Sequence, residues 1–180
     1  MKKLLLLILI IGLVGWYVWS NNGKDKGQPV EIMTTVLNPD PANATFYFDD
    51  GPIKLKNGKV SLNITGSAIS VDTNLAKEPV AYGDINGDGK NDAVIILSQD
   101  GGGSGIFVYL AAYVSGNVEY KGSNAVFIGD RISPESITVL KSGLVTFEYL
   151  DRDEKDPMTT EPTLLRKATF AWKNQALEEI

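Results

Sequence analysis

Residues 83–97 read G-D-I-N-G-D-G-K-N-D-A-V-I-I-L, a polar loop that runs directly into an unbroken apolar segment. The apolar part, Ala93–Leu97, is bounded on one side by turn-forming Asn, Asp and Gly. Short continuous apolar runs of this kind are typical of strands that are covered on both faces of a sheet. This stretch therefore predicts a loop followed by a fully buried strand.

The surrounding sequence also has the pattern of strands rather than helices. Short apolar or alternating segments recur at intervals of about ten residues, with turn signals between them, and no long helical period follows Leu37. Asn57-Gly58, a dipeptide suited to a type I′ turn, predicts a hairpin between Ile53–Lys56 and Val60–Ile64. We predict a mainly β protein whose single antiparallel β-rich domain, residues 30–180, is a sandwich, a barrel or a small open sheet. The other predicted strands are Thr45–Phe48, Ile69–Val71, Val80–Tyr82, Ile106–Val114, Val118–Tyr120, Ala125–Ile128, Ile137–Leu140, Leu144–Tyr149 and Leu164–Trp172.

The N-terminus, M-K-K-L-L-L-L-I-L-I-I-G-L-V-G-W-Y-V-W-S, has the features of a membrane segment. Its apolar run, residues 4–19, is about 24 Å long as a helix, and it ends in aromatic residues suited to a headgroup boundary. No small-x-small cleavage site is evident, which favours an anchor over a cleaved signal peptide, the alternative. We predict a transmembrane anchor or signal-anchor at 1–20 and a flexible linker at 21–29. Lys2 and Lys3 favour a cytoplasmic N-terminus and an extracytoplasmic domain.

The composition excludes several classes of site. The chain has no Cys and no His, so it has no disulfide, thiol nucleophile, Ser-His-Asp triad or imidazole ligand. Any metal site must be built from oxygen, which suits hard cations such as calcium or magnesium. The net charge is −5, and residues 29–180 carry 13 bases and 21 acids, a net charge of −8. Such an acidic domain repels phosphate backbones, so we expect no nucleic-acid partner.

The loop itself has the spacing of a calcium site. With Asp84 as position 1, oxygen-bearing side chains fall at positions 1, 3, 5 and 9. Gly89 at position 6 allows a sharp turn, and position 7 contributes its backbone carbonyl. The loop is EF-hand-like, but Ile95 occupies position 12, where an EF-hand has a bidentate Glu. The predicted metal ligands are the side chains of Asp84, Asn86, Asp88 and Asp92 and the backbone carbonyl of Lys90.

These residues resemble the D-x-[DN]-x-D-G-x-x-D calcium loops of integrin-type FG-GAP blades and, more loosely, those of dockerins. The FG-GAP resemblance implies that the loop lies between two strands and that Asp92 supplies its last carboxylate. Three further strings, Asp100–Gly105, Ile128–Ile132 and Asp156–Thr163, are similar to a family of bacterial exported and lipoprotein-like domains. That resemblance covers about residues 42–180, and it implies an exported β domain without implying an activity.

We therefore expect a membrane-anchored cell-envelope domain that is stabilised by calcium and that binds or scaffolds an envelope protein or glycan. Residues 4–19 would be its contact with the membrane. The alternative is a hydrolase that acts on envelope glycans with carboxylates alone, as glycosidases do. No pair of acidic residues lies outside the loop and the charged surface segments, so the enzyme is the less favoured hypothesis. A pocket lined by two convergent acids would favour the hydrolase.

Overall fold

The computed structural model describes residues 37–64, 66 and 69–180, and these residues form thirteen strands and no helix. The predicted anchor, linker and first residues of the predicted domain lie outside the described residues. None of the described residues belongs to a helix long and apolar enough to span a membrane. The strands are β1 (Thr45–Phe48), β2 (Gly51–Lys54), β3 (Lys59–Asn63), β4 (Ser70–Leu75), β5 (Ala81–Gly83), β6 (Asp92–Asp100), β7 (Ile106–Val114), β8 (Lys121–Gly122), β9 (Val126–Asp130), β10 (Ser133–Val139), β11 (Val145–Asp151), β12 (Leu164–Lys173) and β13 (Ala176–Glu179).

The strands form three antiparallel sheets, which confirms the predicted fold class for the described part of the chain. The largest sheet has seven strands in the order β3-β4-β6-β7-β8, and β5 pairs with β6 and β9 with β7. A second sheet has the order β10-β11-β12-β13, and β1 and β2 form a two-stranded hairpin. β6 and β7, the longest paired strands of the large sheet, are its centre.

β6 is covered on both faces, as its continuous apolar run predicts. Val94 and Ile96 pack in one core with residues of the four-stranded sheet, among them Phe147 and Phe170. Alternate residues of β6, including Ile95, pack in a second core with β1 and β2. Each fully buried side chain of this size contributes about 1.5–3 kcal/mol. The domain is therefore a sandwich of the two larger sheets, with the β1–β2 hairpin on the outer face of the seven-stranded one.

The Asn57-Gly58 turn is present, but the hairpin predicted around it is wrong. Both residues have positive φ, 53° and 79°, and Lys56 and Lys59 form a single bridge across the turn. Beyond that bridge, β2 pairs with β1 and β3 pairs with β4. Leu55 is buried in the second core, and its N–H donates to the carbonyl of Ala44 at 2.9 Å, so the chain before the turn stays with β1.

The end of the domain also differs from the prediction, because β13 follows the last predicted strand. β12 and β13 are joined by Asn174 and Gln175, whose φ values of 51° and 63° fit a two-residue type I′ turn. Neither residue is glycine, so the sequence carries no strong turn signal there.

A side chain of one sheet hydrogen-bonds to the edge of the other. Asn124, between β8 and β9, accepts from the N–H of Leu177 at 2.8 Å and donates to the carbonyl of Leu177 at 2.9 Å. The carboxamide therefore satisfies both backbone groups of this β13 residue, as a neighbouring strand would. This pair of bonds joins the 121–126 segment to β13 on one side of the sandwich.

Candidate metal centre and adjoining cleft

The predicted metal loop connects β5 to β6, and Gly83 pairs with Asp92 at its base. The loop thus lies between two adjacent strands, as expected. Gly87 and Gly89 have φ values of 81° and 82°, a conformation that side-chain-bearing residues rarely adopt. Gly89 therefore makes the sharp turn that its position predicts.

The first half of the loop is wound around the side chains of Asp84 and Asn86. Asp84 Oδ1 accepts the N–H groups of Gly87 at 2.6 Å and Asp88 at 3.2 Å, and its Oδ2 accepts that of Gly89 at 2.8 Å. Asn86 Oδ1 accepts from the same Asp88 N–H at 3.0 Å. Because the two oxygens share one donor, Asp84 Oδ1 and Asn86 Oδ1 lie close together.

Asp92 is fully buried at the end of the loop, with 0% of its surface exposed. Its Oδ2 accepts the N–H of Ile85 at 2.9 Å, and its Oδ1 accepts the N–H of Ser115 at 2.8 Å. No Lys or Arg among the described residues forms an ion pair with it. Buried carboxylates in proteins are ordinarily paired with a cation or coordinated to a metal, so Asp92 is unusual.

Ser115, just after β7, brings the second half of the loop together. Its hydroxyl lies 2.7 Å from Asp88 Oδ2 and 2.9 Å from Asp92 Oδ1, and its carbonyl accepts from Asn86 Nδ2 at 2.9 Å. A hydroxyl has one hydrogen, so it donates to only one of the two carboxylates at a time. The sequence prediction missed Ser115, because the only signal there is a Ser-Gly-Asn turn 23 residues after Asp92.

Lys90 places a positive charge beside the loop. Its Nζ lies 3.9 Å from Asp88 Oδ2 and donates to the carbonyl of Gly116 at 3.3 Å, and its side chain is half exposed. Asp88 Oδ1 accepts the Lys90 N–H at 2.9 Å. The hydroxyl of Ser115 and this N–H hold the pKa of Asp88 below its ordinary value, so its carboxylate stays ionised into mildly acidic solution.

The loop oxygens meet in two pairs rather than in one cluster. Asp84 and Asn86 converge on the Asp88 N–H, while Asp88 and Asp92 converge on the hydroxyl of Ser115. Among residues 37–64, 66 and 69–180, no three acidic side chains gather closely enough to hold a metal ion. The five predicted ligands therefore share one loop, and calcium binding there stays a prediction.

Asp130 and Arg131 form an ion pair at the turn that follows β9. The guanidinium of Arg131 lies 3.0 Å from Asp130 Oδ2, and Asp130 Oδ1 accepts the N–H of Ile106 at 2.9 Å. Arg152 donates to the carbonyl of Arg131 at 3.0 Å, which ties the charged loop after β11 to this turn. The Arg131 guanidinium holds the pKa of Asp130 below its ordinary value.

A cleft of about 930 Å³ opens beside the metal loop, between residues 114–124, Tyr47 and Trp172. A smaller cleft of about 480 Å³ lies near Asp40 and Tyr82. Each is lined by one acidic residue, Glu119 in the larger and Asp40 in the smaller. Neither cleft offers the pair of carboxylates that the hydrolase hypothesis requires.

No protein-family model, curated protein or solved structure matches the chain. The resemblance to FG-GAP and dockerin loops, and the wider one to exported bacterial domains, therefore stay predictions drawn from sequence motifs.

Proposed function

We propose that the protein is a membrane-anchored, extracytoplasmic β domain that calcium stabilises at the loop Asp84–Asp92, and that it binds or scaffolds an envelope component. The anchor and the compartment rest on the sequence of residues 1–20, whose apolar run follows two lysines. The binding role rests on the larger cleft beside the loop and on the exposed loops of the sandwich.

The buried carboxylate of Asp92 is the observation that carries the calcium proposal. It has no ion-pair partner among the described residues, and its Oδ1 shares a single hydroxyl hydrogen with Asp88. Two carboxylates on either side of one hydroxyl repel each other unless a cation lies close to them. A divalent ion at this point would offset that repulsion better than Lys90, which is 3.9 Å from Asp88 alone.

The remaining ligands follow from the oxygen-bearing side chains at alternate positions of the loop. The side-chain oxygens of Asp84, Asn86 and Asp88 already accept hydrogen bonds from loop N–H groups. Asp84 Oδ1 accepts two N–H groups, so its remaining acceptor capacity is on Oδ2, whereas Asn86 Oδ1 and Asp88 Oδ1 each accept one N–H and keep a second lone pair for a metal. The carbonyl of Lys90 would add a backbone ligand, and water would complete the six to eight oxygens that calcium takes.

Calorimetry on the full chain tests the proposal. The protein, in a detergent, is first freed of metal by exhaustive treatment with EDTA. Separate samples are then titrated with CaCl₂ and with MgCl₂. Three carboxylates without a bidentate Glu give an expected calcium Kd of about 10⁻⁴–10⁻³ M, with magnesium weaker. Absence of heat with millimolar calcium, together with equal thermal midpoints in calcium and EDTA, would overturn the calcium site.

A further inference from the structure

The larger cleft is enclosed by three parts of the chain that are hydrogen-bonded to one another. The N–H of Tyr47 in β1 donates to the carbonyl of Ser123 at 3.1 Å, and the N–H of Ala125 donates to the carbonyl of Tyr47 at 2.8 Å. Asn124 makes two hydrogen bonds to Leu177 in β13. These bonds set the spacing of β1, the 114–124 segment and the β12–β13 turn, so the cleft exists before any ligand enters it.

The lining combines aromatic rings with carboxamide side chains that have free hydrogen-bonding groups. Tyr47, 55% exposed, and the half-buried Trp172 supply the rings. The side chains of Asn117 and Gln175 also line the cleft and form no hydrogen bond within the described part of the chain. Each carboxamide offers two donors and an acceptor, so the cleft presents both apolar faces and free hydrogen-bonding groups.

The charges of the lining select against an ionic ligand. Glu119 and Lys121 carry opposite charges, so the side chains that line the cleft have no net charge. The excess of acids in residues 29–180 repels phosphates and carboxylates. A ligand that matches this surface is uncharged, carries many hydroxyl groups and has an apolar face.

We infer that this cleft binds a neutral saccharide, whose C–H faces pack on Tyr47 and Trp172 and whose hydroxyl groups bond to Asn117 and Gln175. The cleft volume of about 930 Å³ falls within the roughly 300–1,000 Å³ of small-molecule sites. Since it names the ligand class of an envelope-binding domain, the inference rests on the proposed function. Asn86 of the metal loop also lines the cleft, but none of the four side chains named as saccharide contacts is a predicted calcium ligand.

The test uses the full chain in a detergent without a sugar headgroup, since a maltoside would compete for the cleft. Three neutral trisaccharides (maltotriose, cellotriose and the N-acetylglucosamine trimer) are titrated by calorimetry, with a glucuronate-containing hyaluronan fragment as the charged comparator. The site variants are Tyr47→Ala and Gln175→Ala, because both side chains are exposed and their loss leaves the core intact. The matched controls are Phe127→Ala, an exposed aromatic outside the cleft, and Asn63→Ala, an exposed carboxamide on β3.

At least one neutral trisaccharide is expected to bind, and each site variant to weaken that binding about tenfold while the controls leave it unchanged. The inference is overturned if none of the three binds up to about 10 mM, if the charged fragment binds more tightly, or if Tyr47→Ala and Gln175→Ala bind like wild type. A calcium-induced shift of the thermal midpoint, measured on the same samples, separates the two proposals. If the shift persists without saccharide binding, only the cleft inference fails, and if the shift is absent, the calcium proposal fails.

Discussion

Asp92 Oδ1 accepts the backbone N–H of Ser115 at 2.8 Å and lies 2.9 Å from the hydroxyl of the same residue, which donates either to it or to Asp88. Asp92 begins β6 and Ser115 follows the end of β7, so the bonds join the two ends of the central hairpin of the large sheet. The same hydroxyl contacts Asp88, which links the metal loop to that hairpin. Loop and sheet should therefore gain and lose stability together.

Ser115→Ala removes the hydroxyl but keeps the N–H bond to Asp92. Loss of one donor to a buried carboxylate is expected to lower the free energy of unfolding by about 1–3 kcal/mol. Urea unfolding at neutral pH measures the change, and Ser61→Ala, on the exposed side of β3, is the control. Equal stabilities of Ser115→Ala and wild type would show that the hydroxyl does not support Asp92.

Asp88→Ala should affect the protein mainly when calcium is present. For a Kd of about 10⁻⁴–10⁻³ M, calcium at about 10 mM is expected to stabilise the wild type by roughly 1.4–2.7 kcal/mol. The variant should lose most of this gain, and its midpoint in EDTA should stay near that of wild type. Asp50→Ala, in the exposed β1–β2 turn, should keep the full calcium response. Equal losses for Asp88→Ala in calcium and in EDTA would count against the site.

Lys90→Gln is expected to tighten calcium binding, because it removes the ammonium group near Asp88 and leaves the Lys90 carbonyl in place. Exposed ion pairs are worth about 0.2–1 kcal/mol, so the affinity should rise by roughly 1.4- to fivefold. The gain should shrink at high salt, since salt screens exposed charges. Calorimetry at low and high ionic strength measures both effects, and weaker calcium binding by the variant would refute this electrostatic account.

The effect of Asp130→Asn on the free energy of unfolding should depend on pH. The folded-state pKa of Asp130 is lowered, first by the Arg131 guanidinium and also by the Ile106 N–H. A lowered pKa stabilises the fold fully above the unfolded-state pKa of about 4, and that stabilisation is lost as the pH falls through the folded-state value. The stability difference between wild type and Asp130→Asn should therefore be constant from pH 7 to about 4 and decrease below it.

Denaturant unfolding at a series of pH values measures this difference. Asp49→Asn, in an exposed turn, is the control for the loss of one acidic side chain. A difference between wild type and Asp130→Asn that grows on acidification would contradict the assigned sign.

Gly122→Ala should damage the packing of β1 on β8. A Cβ added there would lie 2.1 Å from the carbonyl oxygen of Thr45, a backbone atom that cannot rotate away. The variant is expected to lose about 3 kcal/mol or more, the upper range for overpacking. Gly103→Ala is the matched control, because its added Cβ meets nothing within 4 Å. Thermal midpoints of the two variants should differ clearly, and similar values would mean that β1 moves aside at little cost.

Strands could be predicted where one local feature dominates. Ile106–Val114 coincides with β7, because a long β-branched and aromatic run specifies a strand whatever its partners. The partner of a strand is a tertiary property, which is why Asn57-Gly58 predicts the turn but not the pairing of β2 with β1. β13 was missed because Asn174 and Gln175 adopt positive φ without a glycine signal.

The candidate site likewise has features that the local sequence predicts and features that it does not. The turn at Gly89 followed from its position in the loop, and the placement of the loop between two strands followed from the FG-GAP resemblance. Ser115 and the walls of the cleft come from distant segments that only the folded sheets bring together, so no local pattern could reveal them.

The two hydrogen bonds between Asn124 and Leu177 affect how copies of the protein can associate when they are concentrated. An open sheet edge invites a strand from a second molecule, and such pairing is a common start of aggregation. At Leu177 both backbone groups are already taken by an amide that cannot itself be extended. Neighbouring copies at high local density would therefore find no template for strand addition at this position of β13.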